Sequence, residues 1–341
     1  MGQMNTQKQP WQWAAEKKNT LESFGMYSDQ YISFEEQYVQ HLEEIGQREA
    51  ASFVSRDLAM IYDHVDGENS VRAALCRKYI AEYYFQQEDY DSCLDYISEA
   101  VPVLLVGQGE TDPHTIQALE LKFHSLYMLR KYDEALDTNA KVIDAYTKQN
   151  GSEDRSVLIT QADRAAILMD AERYAEALPV LECLSFNEEF CKEEGEYVLP
   201  LLFSCYISLG KTDELHRALD TALSESLLQA LSLEQRADLL ADILDALYEG
   251  HQFEDSRMVG LRLISVLLEL SNEKGTEAKK ALCHVYMTVA LSCFNLDRPQ
   301  ESIKYAEKSI KLAKKFYKYD YQQMSLLQSA YDLVKHPPKK R

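Results

Sequence analysis

The side chains of this chain best suited to nucleophilic or metal chemistry are its seven cysteines, at 76, 93, 183, 191, 205, 283 and 293, and its eight histidines. A cysteine–histidine dyad or a zinc site needs such groups on one helix face or in closely spaced pairs. The sequence does not supply that spacing. Cys283 and His284 are adjacent, so on a helix they point roughly 100° apart. Cys183 and Cys191 share a face only if one helix runs through Asn187. The histidines at 41, 64, 114, 124, 216 and 251 have no partner at i+4. There is no CxxC, HExxH, GxSxG, GxxxxGK[ST] or EF-hand loop. Gly107-Gln108-Gly109 has the shape of a glycine loop, but no Lys follows at phosphate-loop spacing and no strand pattern precedes it. The expectation is a protein without catalytic residues, metal or cofactor. The cysteines read as reduced core thiols of a cytoplasmic protein.

The elements that carry these residues repeat. Residues 131–146 read KYDEALDTNAKVIDAY. Forty-two residues earlier stands DYDSCLDYISEAV, and forty-two later RYAEALPVLECL. The aromatic is Tyr90, Tyr132 and Tyr174 in turn. Three residues on comes Cys93, Ala135 or Ala177, then Leu94, Leu136 or Leu178. Weaker copies are anchored at Thr212, Phe253 and Pro299, with steps of 38, 41 and 46 residues. A degenerate first copy is anchored at Gln47. Before each anchor lies another helical stretch, with a small residue at Ala81, Ala165 or Ala290. Small residues at both places let two helices nest closely. Phe123 breaks this rule, which predicts looser or shifted packing there. Self-similarity at such a period marks stacked helical hairpins.

Composition agrees with a folded helical chain. There are 12 Gly and 8 Pro in 341 residues, and 46% of residues are apolar. No run approaches a membrane span, and the first residues lack the apolar core of a secretory signal. Gly2 and Thr6 fit a loose lipidation pattern only. The formal net charge of −20 disfavours nucleic acid and anionic membranes as partners. Residues 1–70 hold 5 Lys/Arg against 12 Asp/Glu, which argues against a DNA-reading module. Residues 301–341 instead carry 10 Lys/Arg and 4 Asp/Glu, leaving −26 on the first 300. That end reads as a solvated capping helix or as a dock for an acidic partner. Ser28 is placed to cap the helix that follows it. Trp11 and Trp13 cannot share a helix face, so one is expected to pack and the other to stay exposed.

The organisation expected is an N-terminal cap segment over 1–27, a degenerate hairpin over 28–69 and regular repeats over 70–185. Degenerate repeats follow over 186–280, then a last repeat with a basic cap helix over 281–335 and a disordered tail over 336–341. The pattern of small residue, turn and Tyr-x-x-Ala-Leu resembles the tetratricopeptide repeat (TPR). The long period and the connector Gly109-Glu110-Thr111-Asp112-Pro113-His114-Thr115 resemble those of kinesin light chains. The resemblance implies an all-α, right-handed TPR-like helical-hairpin solenoid with terminal capping helices. It also implies a concave groove lined by the first helix of each hairpin. Carried onto this chain, the groove positions are Lys78, Glu82 and Phe85, then Glu120, His124 and Tyr127, then Asp163 and Met169. Further along they are Asp238, Asp245 and Tyr248. The carboxylate-clamp residues of chaperone-binding TPRs are replaced here by Tyr79, Glu82, Leu121 and His124. An aromatic and acidic lining suits a protein or peptide carrying Lys or Arg. The function implied is a non-enzymatic scaffold or adaptor. The alternative is a sensor whose superhelix responds to a peptide.

Overall fold

The computed structural model describes residues 8–224, 228, 229 and 231–337. Within these residues there are sixteen α-helices and no strand. They are α1 Pro10–Phe24, α2 Asp29–Glu44, α3 Arg48–Asp66, α4 Val71–Gln86, α5 Tyr90–Gly107, α6 Pro113–Met128, α7 Tyr132–Asn150 and α8 Arg155–Asp170. The second eight are α9 Tyr174–Phe186, α10 Glu188–Ser208, α11 Thr212–Ala222, α12 Leu233–Glu249, α13 Phe253–Lys274, α14 Thr276–Asn295, α15 Pro299–Phe316 and α16 Tyr321–Lys335. The lipidation pattern at Gly2 and Thr6, and the tail from residue 338 on, lie outside the described residues. Among the described residues, no helix is long and apolar enough to cross a membrane.

Short polar side chains start many of the helices by accepting a first-turn N–H. Ser28 Oγ accepts from Tyr31, Ser70 from Ala73, and the Asp89 carboxylate from Ser92. Asp112 accepts from Thr115, with Pro113 in the first helical position. Within each hairpin the turn is the same. Gly46, Glu88, Arg130, Glu172, Gly210, His251 and Asp297 all take φ between +55° and +74°. Each lies two residues before a second helix, and the next residue's amide returns to a carbonyl five positions back. Asp89 donates to Tyr84 O at 3.0 Å, and Lys131 to Leu126 O at 2.8 Å. This is a Schellman-type stop, which shields the last carbonyls of the first helix.

The turns step by 42, 42, 42, 38, 41 and 46 residues, so the sequence period is a backbone period. They place the anchor of the first copy at Arg48, one residue later than the sequence pattern suggested. Five of the seven positions carry a side chain where left-handed backbone favours glycine. Arg130 is exposed, so Arg130→Gly is expected to raise stability by up to about 1 kcal/mol, read as a higher urea midpoint.

The helices gather into two compact units, residues 1–167 and 168–341, with the division inside α8. In the first unit each helix from α1 to α6 packs on the next, and α4 also packs on α6. Trp13 is buried against Phe34, Tyr38 and His41, whereas Trp11 is 70% exposed. Ala81, Cys93, Ala135 and Ala165 are fully buried, as a close helix seam requires. Phe123 is also buried, at 1% exposure. Asn139 on α7 donates to Thr160 O on α8 at 3.0 Å, and the Arg164 guanidinium to Leu136 O at 3.1 Å.

In the second unit α10 packs on α9, α11 and α12, and the chain then proceeds helix by helix to α16. Buried hydroxyls satisfy themselves across the seams. Ser256 and Ser292 share a bond of 3.0 Å, Ser302 donates to Ala290 O and Ser309 to Cys283 O, both at 2.6 Å. Cys93, Cys205, Cys283 and Cys293 are buried thiols, Cys76 is half-buried and Cys183 is exposed.

Candidate functional site

The first helices of three successive hairpins contribute to one cleft of about 410 Å³ in the first unit. From α4 come Glu82 and Phe85. From α6 come Gln117, Glu120, Leu121 and His124. From α8 come Ser156, Ile159, Thr160 and Asp163, and α7 adds Tyr146. These positions follow helical spacing, with Gln117, Glu120, Leu121 and His124 on one stripe of α6 and Ser156, Ile159, Thr160 and Asp163 on one of α8. The other faces of the same helices hold the core, so the cleft is the polar side of amphipathic helices.

The cleft is acidic and contains no Lys or Arg in its lining. Glu82 is partly neutralised by Lys78, four residues earlier on α4. Glu120 accepts the Tyr146 hydroxyl at 2.8 Å. Burial pushes the Glu120 carboxyl up, and the Tyr146 bond only partly opposes this. Asp163 is raised from the ordinary 3.8 to about 6, first by burial and then by the Glu120 charge. It makes no ion pair among the described residues. Burial lowers the His124 pKa, so the imidazole is neutral at pH 7 and does not offset the carboxylates.

A carboxyl held above its unfolded pKa favours the protonated native state. Stability is therefore lost as pH rises from about 3.8 through about 6. Asp163→Asn removes this cost. Its expected gain over the parent chain at pH 7.5 is about 3 kcal/mol, shrinking toward zero at pH 4. His124 acts in the opposite direction below its ordinary 6.5, so the difference between the two proteins in urea titrations at each pH is the readout.

Of the positions inferred from sequence, Glu82, Phe85, Glu120, His124 and Asp163 meet in this cleft. Lys78 is buried, lies outside the lining and pairs with Glu82. Tyr127 lies outside the cleft lining and packs on the anchor Tyr132, with ring centroids 6.3 Å apart. Tyr248 does the same with Phe253 at 5.9 Å. Phe85 pairs with Tyr90 in the equivalent place, at 5.4 Å, while also facing His124. Met169 is half-buried at the start of the second unit.

Asp238 and Asp245 are exposed on α12, where Asp242 and Glu249 extend the acidic stripe. Burial, then like-charge neighbours, raises the carboxyls of Asp242 and Asp245. Sequence reasoning missed Tyr146, because the corresponding place in the copy before it is Leu104 and no repeat pattern marks it. It also missed Asp242, which a scan for carboxylates at i and i+4 from Asp238 finds. Among the described residues, no group of acidic, His and Cys side chains could hold a metal ion.

No protein-family model and no curated protein matches the chain. Solved structures do match. One, described as nearly identical TPR-like repeats of a Podosopora anserina kinesin light chain, is 15% identical, with TM-score 0.47, covering 59% of this chain and 95% of its own. BtubC (BKLC) from P. vanneervenii is 10% identical, with TM-score 0.45, covering 62% and 85%. A Rap protein complexed with competence and sporulation factor is 13% identical, with TM-score 0.41, covering 95% and 97%. The recurring helix pairs, the buried small-residue seams and the left-handed turn before each second helix make this chain a TPR-type repeat fold.

Proposed function

We propose that the chain is a non-catalytic scaffold that binds a segment of another protein and seats a Lys or Arg side chain in the α4–α6–α8 cleft. One observation carries this reading: Asp163 stands beside Glu120 in a half-buried cleft with no cation of its own. Two carboxyls held near one another are destabilised by desolvation and mutual repulsion, and an incoming cation relieves both. Phe85, Leu121 and Ile159 give the aliphatic stem of Lys or Arg an apolar wall. His124 and the Tyr146 hydroxyl fix the polar end. The experiment is a selection from a random peptide display library on the immobilised chain at pH 7.5. Enrichment of Lys- or Arg-containing peptides that is lost on Asp163→Asn/Glu120→Gln supports the reading. Peptides selected equally by both proteins would sink it.

A further inference from the structure

The second unit carries a surface of the opposite sign. On α15 the residues Ser302, Ala306, Ser309, Ile310 and Ala313 are buried against α14 and α16. Lys304, Lys308, Lys311 and Lys315 are exposed on the opposite side of the same helix. The spacing i, i+4, i+7, i+11 stacks them in one stripe roughly 16 Å long. None of the four is in an ion pair among the described residues. Elsewhere on the chain exposed lysines commonly find a carboxylate, as Lys148 finds Glu110 and Lys280 finds Glu277. Here Lys304, Lys308 and Lys315 have aromatic neighbours instead. Lys308 lies 5.3 Å from the centroids of both Tyr286 and Tyr305, which stack on each other.

The stripe runs into a pocket of about 630 Å³ formed where α15 turns into α16. Its wall combines Lys315 and Lys318 with Phe316, Tyr317, Tyr319 and Tyr321. Tyr319 and Tyr321 are 81% and 82% exposed. Asp320, the acidic residue in that wall, is engaged in capping α16 through the Gln323 amide.

We infer that this face docks an acidic helical segment of a partner protein. Carboxylates at every fourth position of such a helix recur at roughly 6 Å, the rise from Lys304 to Lys308 and from Lys311 to Lys315. An apolar or aromatic side chain at the end of the segment enters the tyrosine-rich pocket. The size of the occupant follows from the charge of the rest of the chain. The first 300 residues carry −26, so a long polyanion or an anionic membrane is repelled over most of its length. A segment of a few turns meets only the local positive field within a Debye length. This inference does not depend on the cleft in the first unit.

The probe is a labelled synthetic helical peptide with Glu at every fourth position and a terminal Trp, followed by fluorescence anisotropy with the whole chain. The expected result is binding that weakens with salt and falls at least tenfold on Lys304→Gln/Lys308→Gln/Lys311→Gln/Lys315→Gln. These side chains are exposed and Gln keeps helix propensity, so circular dichroism should be unchanged. Tyr319→Ser/Tyr321→Ser should weaken the Trp-bearing peptide but not a version ending in Ser. Absence of binding at low salt, equal binding to the lysine variant, or tighter binding of phosphatidylserine vesicles or single-stranded RNA through the same lysines overturns the inference.

Discussion

Asp163→Lys combined with Glu120→Lys removes the affinity of the chain for Lys- or Arg-bearing peptides, by about 2–5 kcal/mol, or thirtyfold and more. The loss is large because the substitution does more than delete an attraction. It places two cations in a cleft where burial already amplifies charge. A cationic ligand then meets repulsion where it met two carboxylates. The reversed cleft should instead accept peptides bearing Asp or Glu, which distinguishes a charge-reading site from general surface adhesion. Glu82→Gln is a milder control. Lys78 sits against Glu82, so loss of that carboxylate frees a buried ammonium and should weaken cation binding only several-fold. Titration calorimetry on the three proteins at equal ionic strength measures the order. Equal affinity of the doubly reversed protein and the parent chain for a selected basic peptide would contradict the assignment.

Phe123→Ala destabilises the chain by about 3–5 kcal/mol, although it restores the small residue that the repeat pattern calls for. Pattern alone suggests the reverse, since Ala81, Ala165 and Ala290 hold the equivalent place. The structure shows why the substitution fails. Phe123 is 1% exposed and among the largest fully buried side chains, so its removal leaves a cavity that the facing helix cannot fill. Its ring also packs on His124, with centroids 3.9 Å apart, so the cavity reaches the wall of the cleft. The expected readout is a lower urea midpoint and faster amide hydrogen exchange in α6 and α7 than in α2 and α3. A neutral or stabilising result would mean that the α6–α7 hairpin collapses onto the smaller side chain.

The repeat was legible because its period is written in residues that fix geometry. Cys93, Ala135 and Ala177 are small where helices approach, and every one is fully buried. The residues of the left-handed turn were less legible. Glu88, Arg130, Glu172, His251 and Asp297 do not announce a turn by type, and only Gly46 and Gly210 do. Their conformation is imposed by the two flanking helices rather than by local preference. The register of the first copy is hard to read for a related reason: neither Gln47 nor Arg48 supplies the aromatic that marks the anchor in the clearer copies.

The cleft was half legible. Glu82, Phe85, Glu120, His124 and Asp163 fall on a helix face that periodicity can find. Tyr146 comes from a second helix and enters only through the three-dimensional approach of α7 to α6. Tyr127 and Tyr248 match the same pattern as Phe85, and all three rings pack on the hairpin anchor five residues on, but Phe85 also meets the cleft residue His124 of the next hairpin. Position on a helix is readable from spacing, but whether the ring also reaches the cleft depends on what the next hairpin presents, here His124 to Phe85.

The most direct test is the titration of the Asp163 carboxyl, followed by its carbon-13 resonance, in the free chain and with a bound basic peptide. In the free chain the carboxyl should titrate near 6. With a Lys or Arg side chain seated beside it, the opposite charge should return the pKa to the ordinary aspartate range or below. A peptide that binds tightly while the Asp163 titration stays where it was would show that the cation sits elsewhere, and the central assignment would be wrong.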